Sequence, residues 1–301
     1  MPSFQPLTGI YEPSAVQQLP DGRFLVVEDE KQHPLSLISI GSDGHIDSRP
    51  VERDADDVLG KLDDLEGLTL DAAGNIYAIT SHSRTGDGDE KKSRNKLVRF
   101  RIEGDRIVTP AVATDLKSRL IAAHPVLATA AEVLDVKSDG GLNIEALDIA
   151  PDTQQLLIGL RSPLLDGKAI IARVDNPAAM FDAGEVPRVA PALDTLDTLD
   201  LGGDGIRGLS WIPALQGYLI ISGPMAREQV QFRLRFWNGH HDGAARPVVV
   251  PGLPGFEHAE GVTPALIDGQ QRIIIVSDDG DREEGRYARY LLLDPAQLQI
   301  A

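Results

Sequence analysis

The sequence has 301 residues, a formal net charge of −17 and no cysteine. The carboxylate excess argues against nucleic acid or an anionic membrane as a partner, because neutralising phosphates requires clustered lysine and arginine. The lack of cysteine excludes disulfides, thiolate catalysis and sulfur-ligated metals. No apolar run approaches the roughly 20 residues that span a bilayer. No signal peptide is visible at the start, so the expected location is cytoplasmic by default.

Five copies of a strand-turn-strand phrase follow one another along the chain. They are YEPSAVQQLPDGRFLVVEDE, LEGLTLDAAGNIYAITSHS, IEALDIAPDTQQLLIGLRSP, IRGLSWIPALQGYLIISGP and AEGVTPALIDGQQRIIIVSDDG. Each copy has a polar turn between two apolar stretches, which is typical of a β-hairpin. A third apolar run follows most copies, and a weaker fourth can close a four-stranded unit. The sequence therefore predicts an all-β propeller, a single domain over residues 1–301, with five blades favoured and six possible.

Two segments stand outside the five hairpins. Residues 115–135, DLKSRLIAAHPVLATAAEVLD, predict a helical insertion over one face that is interrupted at Pro125. A degenerate sixth blade is the alternative for this segment. Few residues follow the last hairpin, so the N-terminal SFQPLTGI is predicted to complete the edge of the last blade.

Both ends of each hairpin are predicted to meet at one mouth of the central channel, because its two strands run antiparallel. Two rings of residues follow from this reasoning. The first ring is Glu12, Glu66, Glu145, Arg207 and Glu260. The second ring is Asp29, His82, Arg161, Gly223 and Asp278. Since strand side chains alternate, residues two positions before the first ring are also expected to face the channel: Ile10, Asp64, Asn143, Gly205 and His258.

The charges of these rings are unevenly distributed between the blades. Crowded carboxylates repel one another unless a cation binds, and oxygen ligands suit Ca²⁺, which is favoured here over Mg²⁺ or Mn²⁺. The predicted metal ligands are Glu12, Glu66, Glu260 and Asp278. Across the channel, Arg161 and Arg207, together with Glu145, are predicted to bind a small anionic substrate. His82 or His258 is predicted to act as the general base or acid.

The phrases DLEGLTLD, NIEALDIAPDTQQLLIGLRSPL and HAEGV with IIIVSDDGD carry a family resemblance. They resemble a bacterial family known as a domain of unknown function, and the chain is similar, more distantly, to phytase-like esterase propellers and SdiA-regulated propellers. This resemblance implies a propeller and metal-dependent phosphoesterase or esterase activity, with Glu66 and Arg161 as the positions that carry over. Arg207 departs from the pattern, because an acidic residue would stand there.

The leading hypothesis is metal-dependent hydrolysis of a small anionic ester, either a phosphoester or a lactone. A sugar-lactonase-like enzyme is a related possibility. A structural alternative pairs Glu145 with Arg161 and Arg207, so that salt bridges simply close the channel. A further alternative is a non-enzymatic scaffold that binds a ligand or a protein at the same mouth. The sequence leaves open whether the chain is an enzyme, and it does not identify a protein partner.

Overall fold

The computed structural model describes residues 2–29, 33–41, 45–54, 58–136, 140–181, 195–225, 231–241, 243–256 and 258–301. The strands form five antiparallel sheets, which confirms the prediction of a five-bladed propeller. In each sheet the first strand of a predicted hairpin is innermost. The innermost strands of neighbouring blades contact each other in a closed ring around the axis.

A short strand, β1 (Gln5–Pro6), precedes the first complete blade. Blade 1 contains β2 (Pro13–Gln18), β3 (Phe24–Glu28), β4 (Leu35–Ile40) and β5 (Ile46–Pro50). Blade 2 contains β6 (Leu65–Leu70), β7 (Ile76–Thr80), β8 (Leu97–Glu103) and β9 (Arg106–Ala113). Two helices, α1 (Leu116–Ala123) and α2 (Pro125–Ala131), follow blade 2.

Blade 3 contains β10 (Asn143–Ile149), β11 (Leu156–Ser162), β12 (Ala169–Val174) and β13 (Leu196–Leu199). Blade 4 contains β14 (Gly205–Ile212), β15 (Gly217–Gly223), β16 (Arg233–Trp237) and β17 (Arg246–Val249). Blade 5 contains β18 (Ala259–Ile267), β19 (Gln270–Ser277) and β20 (Arg289–Leu293). The last strand is β21 (Gln299–Ile300).

Both chain ends cover the outer edges of neighbouring blades. β1 pairs with β20, so the N-terminal segment completes blade 5, and this prediction is confirmed. β21 pairs with β17 and becomes a fifth strand of blade 4, which the sequence did not predict. Each pairing covers a row of backbone groups that would otherwise remain an open sheet edge.

The helical insertion has the predicted interruption at Pro125, which occupies the first turn of α2. A proline fits there because its missing N–H has no partner in the first turn of a helix. Leu116, Leu120 and Leu127 pack into the apolar core shared by blades 2 and 3. The insertion is therefore anchored beside these two blades, and Asp135 and Val136 after it reach the channel mouth. No helix in the described part of the chain has the length and apolar character needed to cross a membrane.

Candidate functional site

Every innermost strand carries a β-bulge near its start. The residues skipped by the pairing register are Ser14, Glu66, Glu145, Arg207 and Glu260, one from each blade in order. An extra residue at a bulge breaks the two-residue alternation and redirects its side chain. All five bulge residues line one cavity at the mouth of the channel.

The residues that follow the bulges are small because the innermost strands approach closely near the axis. They are Ala15, Gly67, Ala146, Gly208 and Gly261. A Cβ atom on Gly208 would lie 2.0 Å from the backbone oxygen of Glu260 in the next blade. Below the bulges the strands leave a void of only about 10 Å³. The candidate site is therefore the larger cavity on the other side of the bulges, at the mouth of the channel.

This hub cavity has a volume of about 750 Å³ and is strongly acidic. Its lining includes eight carboxylates and four arginines. Volumes of this order accommodate small-molecule ligands, not merely a single ion. The carboxylates are Glu12, Asp29, Asp64, Glu66, Asp135, Glu145, Glu260 and Asp278; the arginines are Arg84, Arg94, Arg161 and Arg207.

Glu145 is the centre of a buried ion-pair network. Its carboxylate lies 3.1 Å from Nη1 of Arg161 and 2.9 Å from Nη1 of Arg207. Arg161 also donates from Nε and Nη2 to the Met225 carbonyl, and Arg207 donates from Nη2 to the Pro224 carbonyl. Most donors of both guanidinium groups are thus used within the protein.

The opposite wall of the hub cavity carries carboxylates that repel one another. Burial raises the pKa of Glu260 well above its ordinary value, and the charges of Asp278 and Glu145 add to this effect. Burial also raises the pKa of Asp278 to about 6, with repulsion from Glu12 as a further cause. This wall therefore favours either bound protons or a bound cation.

Glu66, at the bulge of blade 2, is a further cavity carboxylate outside this wall. Burial raises its pKa well above the ordinary value, followed by repulsion from Asp64 and Glu145. At the rim, loss of hydration raises the pKa of Asp29 to about 7, with Asp64 as the next cause. Glu66 makes no hydrogen bond or ion pair to the residues that the structure describes. Its oxygens are therefore available to a ligand.

Residues 114–294 match the family model described as "Protein of unknown function (DUF3616)". The chain belongs to the DUF3616 family. The matched range covers the helical insertion and blades 3 to 5, and it includes Glu145, Arg161, Arg207, Glu260 and Asp278. No curated protein sequence matches the chain significantly.

Solved structures resemble this DUF3616 chain over its whole length. A protein from Thermus thermophilus, described as a putative oxidoreductase (glucose dehydrogenase), is 18% identical with a TM-score of 0.49, over 97% of this chain and 100% of that one. The PQQ-bound aldose sugar dehydrogenase of Streptomyces coelicolor is 14% identical with a TM-score of 0.48, over 99% of both chains. At these values neither neighbour bears on the substrate or the reaction of this chain.

The first predicted ring of this DUF3616 chain reaches the cavity with one error of register. Glu12 lies two positions before the bulge of blade 1, so it is equivalent to Asp64 and His258, and Ser14 is the true counterpart of Glu66. The error arose because blade 1 lacks a charged residue at its bulge. Ile10, predicted to face the channel, is fully buried in the core between blades 1 and 5.

The two predicted catalytic histidines have different surroundings. His258 lines the cavity, and its backbone is left-handed with φ 62°, as is that of its counterpart Asp64 with φ 64°. Such backbone strain is frequent at functional sites. His82 is outside the cavity lining and fully buried, with its Nδ1 atom 2.8 Å from the Thr80 carbonyl. Because His82 is fully buried and outside the cavity lining, the expectation that it faces the channel is wrong. The same burial lowers the pKa of His82 to about 4.

The second ring also shifts by one position in two blades. The Ser81 N–H donates to the Asp64 carbonyl, and Ser162 pairs with Asn143. Ser81 and Ser162 therefore occupy the positions that were predicted for His82 and Arg161. Gly223 takes its predicted position but is outside the cavity lining. Arg161 nevertheless lines the cavity. The pairing of β10 and β11 has a second irregularity, which leaves Arg161 without a partner residue in the register.

Arg94 is a site residue that the sequence argument missed. It lies in the connection between β7 and β8, forms an ion pair with Asp64 at 2.9 Å and donates a hydrogen bond to the same carboxylate at 3.1 Å. A third contact joins Arg94 Nη1 to the Ser83 hydroxyl at 3.1 Å. Asp64 is therefore neutralised within the protein and is a poorer cation ligand than its carboxylate alone suggests.

The predicted metal ligands line one cavity but do not form a preassembled metal site. Glu12, Glu66, Glu260 and Asp278 all border the hub cavity. Over the described ranges of the chain, no three histidine, aspartate or glutamate side chains converge closely enough to hold a metal ion. Binding of a cation would thus require these side chains to move towards one another.

The raised pKa values predict that the acidic wall destabilises the fold at high pH. A carboxyl whose pKa is higher in the folded state stabilises the fold below about pH 4, and this contribution is lost as the pH rises through the folded-state pKa. For Asp278 the window therefore runs from about pH 4 to above pH 6. We expect Asp278→Asn to match the parent protein at pH 4 and to be more stable by about 1 to 2 kcal/mol at pH 8.

Urea unfolding of both proteins across this pH range checks the prediction. A variant as stable as, or less stable than, the parent at pH 8 would mean that Asp278 is not under electrostatic stress.

Proposed function

We propose that the hub cavity binds a divalent cation on its acidic wall and that this cation supports hydrolysis of a small anionic ester, such as a phosphoester or a lactone. The observation that carries the proposal is that Glu260, Asp278 and Glu12 line one cavity, where burial, followed by repulsion between carboxylates, raises the pKa values of Glu260 and Asp278. A divalent cation would relieve this repulsion directly. Carboxylate oxygens suit Ca²⁺ in particular, because Ca²⁺ tolerates flexible geometry with six to eight ligands.

A cation in this position would polarise the ester or lower the pKa of a bound water molecule. His258 lines the same cavity and supplies an imidazole for proton transfer. The resemblance to phytase-like esterase propellers implies the same class of reaction. The anionic part of the substrate would be held mainly through the cation, since Arg161 and Arg207 already serve Glu145.

A non-enzymatic ligand-binding scaffold is the second candidate function. The buried network around Glu145 supports it, because such a network closes the floor of the channel without contributing to a reaction. In that case the hub cavity would still bind a cationic or cation-linked ligand.

The test combines calcium binding with turnover. We expect the EDTA-treated protein to bind Ca²⁺ by calorimetry, and Asp278→Asn to weaken this binding at least tenfold because one carboxylate ligand is lost. Phosphoester, aryl ester and lactone substrates should be hydrolysed with Ca²⁺ and not with EDTA. Glu52→Gln, which removes an exposed carboxylate outside the cavity lining, is the matched control.

Calcium binding without turnover would favour the scaffold. Absence of Ca²⁺, Mg²⁺ and Mn²⁺ binding, or equal binding by Asp278→Asn and the parent protein, would contradict the proposed cation site.

A further inference from the structure

A second part of the hub cavity lies where blade 2 meets blade 3. Glu66, on the bulge of β6, and Asn143, at the start of β10, both line the cavity there. The two blades are joined at this point by a hydrogen bond from the Ile144 N–H to the Ser81 carbonyl. This sector is across the cavity from Asp278.

Asn143 has an unused hydrogen-bond acceptor. Its side-chain amide donates from Nδ2 to Oε1 of Glu145 at 2.8 Å. A carboxylate only accepts, so the amide orientation is fixed and Oδ1 is the remaining atom. Asn143 is 5% exposed, and its Oδ1 has no hydrogen-bond partner among the residues that the structure describes. A buried polar atom of this kind calls for a donor from elsewhere.

In the same sector, the carboxylate oxygens of Glu66 accept no hydrogen bond from the residues that the structure describes. Its neighbours Asp64 and Glu145 are each held by arginines, whereas Glu66 has no hydrogen bond or ion pair in the described part of the chain. Two independent features, a carboxylate and an amide oxygen, thus present unused acceptors in adjacent blades. A neutral hydroxyl could donate to them but would supply no positive charge beside Glu66 and the carboxylates around it.

We propose that this sector is a subsite for a primary ammonium group, held by Glu66 and by Oδ1 of Asn143. An ammonium group donates three hydrogen bonds and carries the compensating charge. The inference deepens the proposed function, because it makes the substrate a zwitterion with an ester at the cation site and an ammonium group at Glu66. The subsite itself requires neither a metal nor turnover.

Ethanolamine and ethylene glycol, which differ by an ammonium and a hydroxyl group, are the probes. Both are titrated into the EDTA-treated protein and followed by NMR. We expect ethanolamine to bind at least tenfold more tightly. Glu66→Gln should reduce this preference at least fivefold, whereas Glu52→Gln, which removes an exposed carboxylate outside the cavity lining, should keep it within twofold.

Thermal unfolding verifies that both variants remain folded. Equal binding of the two probes, no binding of either, or equal loss of preference in both variants would overturn the subsite. A preference that depends on Glu66 in a protein that neither binds metal nor hydrolyses esters would leave the subsite standing and refute the proposed function. Calcium-dependent hydrolysis without the ammonium preference would support the proposed function and refute the subsite.

Discussion

Glu145→Gln is expected to destabilise the protein by about 3 to 5 kcal/mol, because it removes the charge that compensates two buried arginines. Arg161 and Arg207 are 6% and 7% exposed, and both donate to the Glu145 carboxylate. Glu260, at 3.4 Å, would remain as a weaker partner for Arg207. Glutamine keeps the shape of the side chain, so the loss reports on charge and not on packing.

Urea unfolding at constant pH measures this effect. Arg106→Gln is the control, because Arg106 pairs with Asp54 on the exposed surface and such pairs contribute less than about 1 kcal/mol. A loss below about 1 kcal/mol in Glu145→Gln would show that the two guanidinium groups are solvated, and the buried network would lose its stabilising role.

Gly208→Ala is expected to cost about 2 to 3 kcal/mol by overpacking the ring of innermost strands. The added Cβ would lie 2.0 Å from the Glu260 carbonyl oxygen, which belongs to backbone and cannot turn aside. Relief of this clash must separate β14 from β18 and displace Glu260. The substitution should therefore weaken Ca²⁺ binding as well as stability.

Gly86→Ala is the matched control, because a Cβ there meets no atom within 4 Å and the backbone is not left-handed. Urea unfolding of the two variants gives the stability comparison. Because Gly86 itself lines the hub cavity, calorimetry compares Ca²⁺ binding by Gly208→Ala with that of the parent protein. Equal stability of Gly208→Ala and Gly86→Ala would mean that the innermost strands are spaced more widely than the structure has them.

The five hairpins were predictable because turn chemistry and apolar runs are local properties of the chain. The pairing of β1 with β20 was predictable for a different reason, since the last blade lacked a strand of its own. The two helices and their boundary at Pro125 followed from composition. The pairing of β21 with β17 was not predictable, because two residues at the end of the chain carry no pattern.

The exact positions that face the cavity could not be predicted from the alternation of side chains along a strand, because a bulge inserts an extra residue and shifts that alternation. Ser14 was missed for this reason, and His82, which is buried just after the end of β7, was assigned to the channel. The small residue after each bulge was the available signal: Ala15 follows Ser14 just as Gly67 follows Glu66. Aligning the hairpins on that residue would have placed blade 1 correctly.

Several polar contacts of the site involve residues in the connections between strands, which do not follow the repeated hairpin pattern. Arg94 neutralises Asp64 from a connection between strands, and the carbonyls of Pro224 and Met225 engage the two central arginines. The sequence could therefore predict an acidic cavity at the hub. It could not predict which of these carboxylates pair with arginines, such as Asp64 with Arg94 and Glu145 with Arg161 and Arg207.

Anomalous scattering from a crystal equilibrated with Mn²⁺ is the most direct test of the proposed cation site. We expect one dominant peak in the hub cavity, roughly 2.1 to 2.3 Å from carboxylate oxygens of Glu260 and Asp278, with these side chains drawn together around it. A crystal of Asp278→Asn should lose that peak. A dominant peak outside the cavity, or none at millimolar Mn²⁺, would contradict the claim that the acidic wall exists to bind a divalent cation.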